Sequence, residues 1–335
     1  YKVSFADLSH TGVVNNTNIF PLGAGLVAAY AAQELNDDIE VSIYKYPEDL
    51  DQALRRETPH VLCMSNYSWS ANLSYAFANI VKRHHPEVTV IFGGPNFPLD
   101  RGLREAFLTE RPAIDFYIKW DGEHAFTGLM RKLLEHDLDV GAMKTEGALL
   151  NNACYLAPHG YVEGPDHRVA NLAALPSPYI SGLFDKFFDG NLIPMMETTR
   201  GCPYSCTFCN DGSLLRSRIY RRSEDSISQD LKYIGSRSQN SLQTQLSIVD
   251  LNFGMYKEDL ATARMLRSTM EEYGWPERLN TAMGKSHPER VLEVVRIINE
   301  GGKGVIKLQA SFQSTDQEVL KEIKRKNLSV DDLLG

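Results

Sequence analysis

Glu197-Thr198-Thr199-Arg200-Gly201-Cys202-Pro203-Tyr204-Ser205-Cys206-Thr207-Phe208-Cys209 is the stretch on which the reading of this chain turns. Three cysteines stand at C-x3-C-x2-C spacing on a loop that contains glycine and proline. The loop follows an apolar run, residues 192–196, that reads as a short buried strand. Thiolates are soft ligands, suited to iron–sulfur clusters or to zinc. A cubane cluster ordinarily takes four cysteines. Three leave one iron without a protein ligand, where a small molecule can bind. Zinc asks for a fourth ligand at characteristic pair spacing. Neither a partner C-x2-C pair nor a nearby histidine supplies one.

The chain has 335 residues and five cysteines, with a net charge of −8. That length suits two domains. The acidic balance and the lack of long basic runs argue against nucleic acid as a partner. No apolar run approaches the length of a membrane span, and no signal-peptide pattern is present. Cys63 and Cys154 read as inert core thiols, since free cysteine behaves as a small hydrophobe. An odd cysteine count with a clustered triplet fits a reducing cytoplasm. The chain begins at Tyr1 rather than Met, so residues before it are expected.

Upstream of the cysteines, strand and helix patterns alternate five times over residues 1–150. Strands are expected at 2–6, 39–44, 60–64, 88–92 and 114–118. Helices are expected at 20–35, 47–56, 69–84, 99–108 and 123–135. Leu73, Phe77, Ile80 and Val81 form the apolar face of the third helix. Such alternation means a parallel sheet covered on both faces, a doubly wound, flavodoxin-like α/β domain. Ligands of these folds sit beyond the C-terminal ends of the strands. The residues there are Asp7-Leu8-Ser9-His10-Thr11-Gly12, Ser65-Asn66-Tyr67-Ser68-Trp69, Gly93-Gly94-Pro95-Asn96 and Asp121-Gly122-Glu123. Glycine there lets backbone approach a ligand, and small polar side chains orient it.

Residues 151–191 read as a connector. They comprise a hairpin around Pro158-His159-Gly160, an extended Leu175-Pro176-Ser177-Pro178-Tyr179 linker, and a short amphipathic helix over 181–188. Residues 192–335 then show four β/α units, with strands at 192–196, 245–249, 279–283 and 305–310. Helices follow at 223–235, 260–273, 289–299 and 316–326. Polar residues at strand ends point to a partial β/α, TIM-like barrel with its site on that face. Asp316 is expected to cap the last of these helices.

The cysteine spacing, with an aromatic just before the last cysteine, resembles the radical S-adenosylmethionine (SAM) signature. The resemblance implies a 4Fe-4S cluster on Cys202, Cys206 and Cys209. SAM would chelate the open iron and be cleaved to a 5′-deoxyadenosyl radical. By the same resemblance Phe208 lies at the SAM adenine, and Asp250 and Asn252 at its amino group. Lys285 would reach the carboxylate, and Ser311 and Gln313 the ribose and carboxylate. Radical SAM barrels usually have six units, so a C-terminal part is expected outside this sequence, beyond a helix that begins near Val330.

The first domain resembles the cobalamin-binding domain found N-terminal to many radical SAM enzymes. The resemblance is carried by Asp7-Leu8 with Pro21-Leu22-Gly23, by Ser65-Asn66-Tyr67-Ser68-Trp69, by Gly93-Gly94-Pro95 with Asn96, and by Gly122-Glu123. In the family these loops surround the corrin. Cobalamin mutases and methionine synthases carry D-x-H-x-x-G, whose histidine binds cobalt. Here Asp7-x-x-His10-x-Gly12 is one residue off, so His10 reads either as a cobalt ligand or as a loop histidine. The run Asp250-Leu251-Asn252-Phe253-Gly254-Met255-Tyr256 resembles a branch that includes the anaerobic magnesium-protoporphyrin monomethyl ester cyclase type.

What the family implies is a methyltransferase acting on an unactivated carbon of a small, natural-product-like molecule. It would work through methylcobalamin and the adenosyl radical, with flavodoxin or ferredoxin as electron donor. The alternative is a cobalamin-dependent radical oxidation or ring closure without methyl transfer. Two further readings are a non-catalytic cobalamin-binding regulator and a radical SAM enzyme whose first domain binds no corrin.

Overall fold

Residue 1–11, 18–302, 304–309, 311 and 313–325 positions are described by the structure, a computed structural model. Gly12, Phe312 and the helix expected from Val330 lie outside these residues. The chain divides into two compact units between Val169 and Ala170.

In the first unit, β1 (Lys2–Ala6), β2 (Glu40–Tyr44), β3 (Val61–Ser65), β4 (Thr89–Gly93) and β5 (Phe116–Ile118) pair in parallel in the order β2-β1-β3-β4-β5. This is the flavodoxin-like order, and its switch point falls between β1 and β3. Helices α1 (Leu22–Glu34), α2 (Pro47–Arg56), α3 (Ala71–His84), α4 (Arg101–Thr109) and α5 (Glu123–Glu135) connect or follow the strands. Their ends carry ordinary stop and start chemistry. Pro47 opens α2, with Glu48 and Asp49 in its first turn and Arg55 and Arg56 in its last. The Asp100 side chain accepts from Leu103 N–H at the start of α4.

The expected face of α3 is corrected. Ser74, Ala78 and Val81 are the buried residues, while Ile80 is 52% exposed. Leu73 and Phe77 pack half-buried against the margin of the core. Small side chains let this helix lie close on the sheet, and Ser74 Oγ donates to Ser65 O at 2.9 Å.

The sheet does not stop at β5. After α6 (Val140–Glu146), the hairpin β6 (Ala153–Ala157) and β7 (Gly160–Glu163) adds to its edge, β6 antiparallel to β5. The sheet is therefore mixed, with seven strands. The hairpin read from sequence as connector is part of the first unit.

The second unit holds the short strands β8 (Met195–Met196), β9 (Thr199–Arg200) and β10 (Tyr220–Arg221), then α7 (Glu224–Ser238), β11 (Gln245–Phe253), α8 (Asp259–Tyr273), β12 (Arg278–Met283), α9 (Pro288–Ile298) and α10 (Gln317–Glu322). β8, β11 and β12 form a parallel sheet in chain order, as the start of a β/α barrel does. β9 and β10 form a separate antiparallel ladder. The Asp316 side chain caps α10, accepting from Glu318 and Val319 N–H.

Two expected elements are absent among the described residues. The helix expected over 181–188 is only a 3-10 turn at Asp185–Phe187, because Gly182 turns left-handed at φ 75°. The strand expected over 305–310 does not form. Asn299 holds both backbone groups of Ile306, donating to its carbonyl at 2.8 Å and accepting from its N–H at 3.0 Å. Only one backbone–backbone bond to β12 is described there, Leu279 N–H to Val305 O at 2.9 Å, while Gln309 N–H turns to the Met283 sulfur at 3.4 Å. The linker tyrosine, Tyr179, is buried against β8, where its hydroxyl donates to Met195 O at 2.6 Å and accepts from Met195 N–H at 3.1 Å.

Among the described residues no helix is long and apolar enough to cross a membrane. The core position of α5 and the surface position of Ile80 are separable by experiment. Leu129→Ala should cost about 2–5 kcal/mol in urea unfolding, whereas Ile80→Ala should stay within about 0.5 kcal/mol.

Candidate functional site

The cysteine loop is closed at its neck by backbone. β9 and β10 bring Thr199 opposite Arg221 and Arg200 opposite Tyr220. Arg222 N–H donates to Thr198 O at 3.0 Å, and Cys202 N–H to Arg216 O at 2.9 Å. Gly201 has φ 115°, and a Cβ there would stand 2.3 Å from Arg218 O. Only glycine fits this crossing. Glu197 and Arg200 pair at 2.9 Å along the entry strand. Farther round the loop, Cys209 N–H donates to Cys206 O at 3.1 Å and Gly212 N–H to Cys209 O at 3.0 Å. Cys202 and Cys206 are buried, and Cys209 is half-buried. Among the described residues no three Cys, His, Asp or Glu side chains close tightly enough to hold a metal ion. The thiolates of a multinuclear cluster sit on different irons and stand farther apart than the ligands of one ion.

Beneath the loop runs β11, which extends to Phe253 and so carries Asp250 and Asn252 inside the strand rather than after it. Asp250 is 1% exposed. It accepts from Thr198 N–H at 2.7 Å, from Thr199 Oγ1 at 2.9 Å and from the Thr198 hydroxyl. Burial raises its carboxyl to about 6, against the opposing pull of these threonine bonds. The structure thus commits Asp250 to the loop's entry strand. Asn252, also buried, donates from Nδ2 to Cys202 Sγ at 3.4 Å. Its Oδ1 is buried without a hydrogen-bond partner among the described residues.

The turn after β11 is held by Asp259, whose Oδ2 accepts from Gly254 N–H at 2.8 Å and Tyr256 N–H at 3.0 Å. The Tyr256 hydroxyl is buried with no partner among the described residues. Burial first, and then the charge on Cys202, raise its pKa. Arg221 lies over the Tyr256 ring, 4.4 Å from its centroid. Tyr204, between the first two cysteines, donates to Ser286 Oγ at 2.7 Å, and Lys285 Nζ lies 5.6 Å from its ring centroid. Lys285 is thereby brought to the loop. Phe208 is half exposed. Ser311 and Gln313 are exposed, and the Ser311 carbonyl accepts from Arg325.

In the first unit the loops beyond β3 and β4 are laced together. Asn66 Nδ2 donates to Asn96 O at 2.6 Å and to Tyr117 Oη at 3.0 Å, and Asn96 Nδ2 donates to Asn66 Oδ1 at 3.2 Å. Tyr117 Oη donates to Gly94 O at 2.8 Å. Gly94 has φ 116°, and a Cβ there would meet Asn66 O at 2.9 Å. Gly93 ends β4, and Pro95 is exposed beside Asn96. Ser65 ends β3, and its carbonyl accepts from Ser74. Tyr67 and Trp69 stack at 4.7 Å with 9° between their planes, Trp69 being 48% exposed, and Ser68 between them is exposed.

The loop after β1 joins this group. His10 Nε2 meets Trp69 O at 3.1 Å. A carbonyl only accepts, so Nε2 is the donor in this contact. Asp7 pairs with the buried Lys45 at 3.2 Å, and its Oδ1 is buried without a partner among the described residues. Leu22 and Gly23 open α1, and a Cβ on Gly23 would lie 3.7 Å from Tyr67 Oη. Gly122 packs on α1 instead, where a Cβ would meet Val27 Cγ2 at 2.9 Å. Glu123 is buried at the start of α5.

Sequence reasoning missed Thr198, Thr199, Tyr204, Tyr256, Lys45 and Tyr117. Thr198, Thr199 and Tyr204 lie within the cysteine stretch. Lys45 follows β2 directly, as the loop residues follow the other strands. Tyr117 sits inside a strand, where nothing distinguishes it from core.

Residues 12–130 match the B12 binding domain family. Over 336 residues the chain is 28% identical to the cobalamin-dependent radical SAM methyltransferase TokK of Streptomyces tokunonensis, covering 95% of this chain and 46% of that protein. It is 27% identical over 328 residues to the 2-(S-pantetheinyl)-carbapenam-3-carboxylate methyltransferase of Streptantibioticus cattleyicolor, again covering 95% of this chain and 46% of the relative. The chain thus spans about half the length of these curated relatives. Its fold matches the structure of the cobalamin-dependent S-adenosylmethionine radical enzyme OxsB with aqua-cobalamin and S-adenosylmethionine bound. The TM-score is 0.69 at 17% identity, covering 99% of this chain and 46% of that one. The B12 domain match lies in the first unit, and the similarity to the radical SAM methyltransferase TokK runs over 95% of this chain.

Proposed function

We propose that this protein works as a cobalamin-dependent radical SAM methyltransferase on an unactivated carbon of a small molecule. One observation carries the reading. A three-cysteine loop and a B12-binding fold stand on one chain, and relatives aligned over 95% of it are named methyltransferases. Those names favour methyl transfer over the oxidative or ring-forming alternative.

In this reading Cys202, Cys206 and Cys209 hold a 4Fe-4S cluster. The local chemistry fits one: three soft thiols, an amide N–H already bonded to one sulfur, and an unfilled buried oxygen beside it. Asn252, Lys285, Phe208, Ser311 and Gln313 form the SAM set. Asp250 serves them indirectly, by fixing the strand that enters the loop. The loops carrying Asp7, His10, Leu22, Gly23, the 65–69 run, 93–96 and Gly122-Glu123 receive cobalamin. When bound, cluster and SAM supply a carbon-centred radical and the corrin carries the methyl group. The chain's own part is to bind, orient and exclude water. Asn66, Asn96 and Tyr117 keep their loops in place before any ligand arrives. An external reductant such as flavodoxin or ferredoxin supplies electrons.

The reading is tested anaerobically with reconstituted protein, hydroxocobalamin, a strong reductant and methyl-labelled SAM. Label on the corrin together with 5′-deoxyadenosine is expected, and Cys206→Ala should bring deoxyadenosine to background. Deoxyadenosine without label on the corrin would instead favour the oxidative reading. Gly94→Ala should weaken hydroxocobalamin binding at least about tenfold, or roughly 1.4 kcal/mol. Gly128→Ala, where a Cβ meets nothing within 4 Å, should bind as wild type.

Asp250 gives a pH test. Its folded value of about 6 lies above the unfolded one, so the folded state binds the extra proton between them. Its stabilising share is complete below the unfolded pKa and is lost as pH rises through 6, a decline of up to about 3 kcal/mol. Urea unfolding of Asp250→Asn between pH 4 and pH 7 should lack that part of the slope.

A further inference from the structure

Cys202 is the cysteine whose sulfur already has a hydrogen-bond donor from a rigid element. Asn252 projects from β11, is 1% exposed, and donates from Nδ2 to Cys202 Sγ at 3.4 Å. Four residues on, in the turn fixed by Asp259, Tyr256 carries a buried hydroxyl with no partner among the described residues. Its ring centroid lies 4.4 Å from the guanidinium of Arg221, which pairs with Thr199 in the ladder that closes the cysteine loop. Burying an unpaired hydroxyl is costly, and such a group in a folded protein calls for an explanation. A neutral donor held at the edge of a cluster-bearing loop has one. Hydrogen bonds to the sulfurs of an iron–sulfur cluster are among the factors that set its reduction potential, because they stabilise the more negative, reduced state.

We propose that Asn252 and Tyr256 are positioning residues that form a two-donor cradle at the Cys202 sulfur and raise the reduction potential of the cluster the loop holds. The proposal rests on the cluster reading given above. Both groups are neutral, and a carboxylate at either place would act in the opposite sense. Asn252 acts from a strand and Tyr256 from a turn closed by two backbone N–H bonds to the buried Asp259 carboxylate, so both donors project from fixed backbone.

The test is an EPR-monitored redox titration of the full reconstituted chain as wild type, Asn252→Leu and Tyr256→Phe, with iron and sulfide content measured on each. Clusters should assemble in all three. The midpoint potential should become more negative in both variants, and further so in Asn252→Leu. Clusters of equal content and equal potential in all three would overturn the cradle while leaving the cluster reading intact. If Asn252→Leu takes up no iron, Tyr256→Phe decides alone, since it keeps the ring and loses only the hydroxyl. Wild-type protein that binds neither iron nor sulfide would sink the cluster reading, and the cradle with it.

Discussion

A carboxylate in the middle of a buried strand must be satisfied by hydrogen bonds, because burying the bare charge is prohibitive. Asp250 is satisfied by Thr198 and Thr199, residues some fifty positions earlier in the chain. That requirement ties β11 to the segment that leads into the cysteines. With Thr198 held, its carbonyl is placed to receive Arg222 N–H, and the β9–β10 ladder can close. The closed ladder brings Arg218 O over Gly201 so tightly that no side chain fits. Only then are the three thiols on one compact loop. The order of dependence runs from a buried charge, through two threonines and a glycine, to the three cysteines.

The first unit solves a similar problem with amides in place of charge. Loops beyond the strands of a doubly wound sheet have no ladder to hold them. Here the Asn66 side chain supplies the missing bonds, taking Asn96 O and Tyr117 Oη and accepting from Asn96. Tyr117 passes the connection on to Gly94. An amide suits this task because it donates and accepts at once. The result is a set of strand-end loops whose shape is fixed by the protein itself, which lowers the ordering cost of binding a large ligand.

How much of this was legible in the sequence depended on the range of the interaction. Helices α2 and α5 could be read to the residue because their signals are local: Pro47 at a start, and apolar spacing at Phe126, Leu129 and Leu133. The cysteine spacing and the strand-end glycines are local too. What could not be read was set at long range or by polar groups at the edge of a pattern. The α3 face was misjudged because Ser74 and Ala78 buy closeness to the sheet by being small, which a count of apolar residues overlooks. The strand at 305–310 fails because one amide, Asn299, takes the bonds a ladder would need. The hairpin's place in the first sheet is a pairing across more than thirty residues, which no local pattern records. Domain limits and most ligand contacts belong to the same class.

The run from Asp250 to Tyr256 shows why a motif can point to a family and still not report a reaction. Read as a string, it resembles the cyclase branch. Placed in the fold, Asp250 holds the loop entry, Phe253 is fully buried core, and Gly254 makes a left-handed turn at φ 87° over Val291. These roles are needed by a loop that presents three cysteines, whatever is done to the substrate. Within the run, Asn252 Oδ1, on the side chain that meets Cys202, and the Tyr256 hydroxyl are the buried polar atoms left unfilled among the described residues. Similarity along such a run therefore measures a shared way of building the site. The information that separates methyl transfer from ring closure has to lie in residues facing the substrate, and it is the named relatives, not this run, that favour methyl transfer.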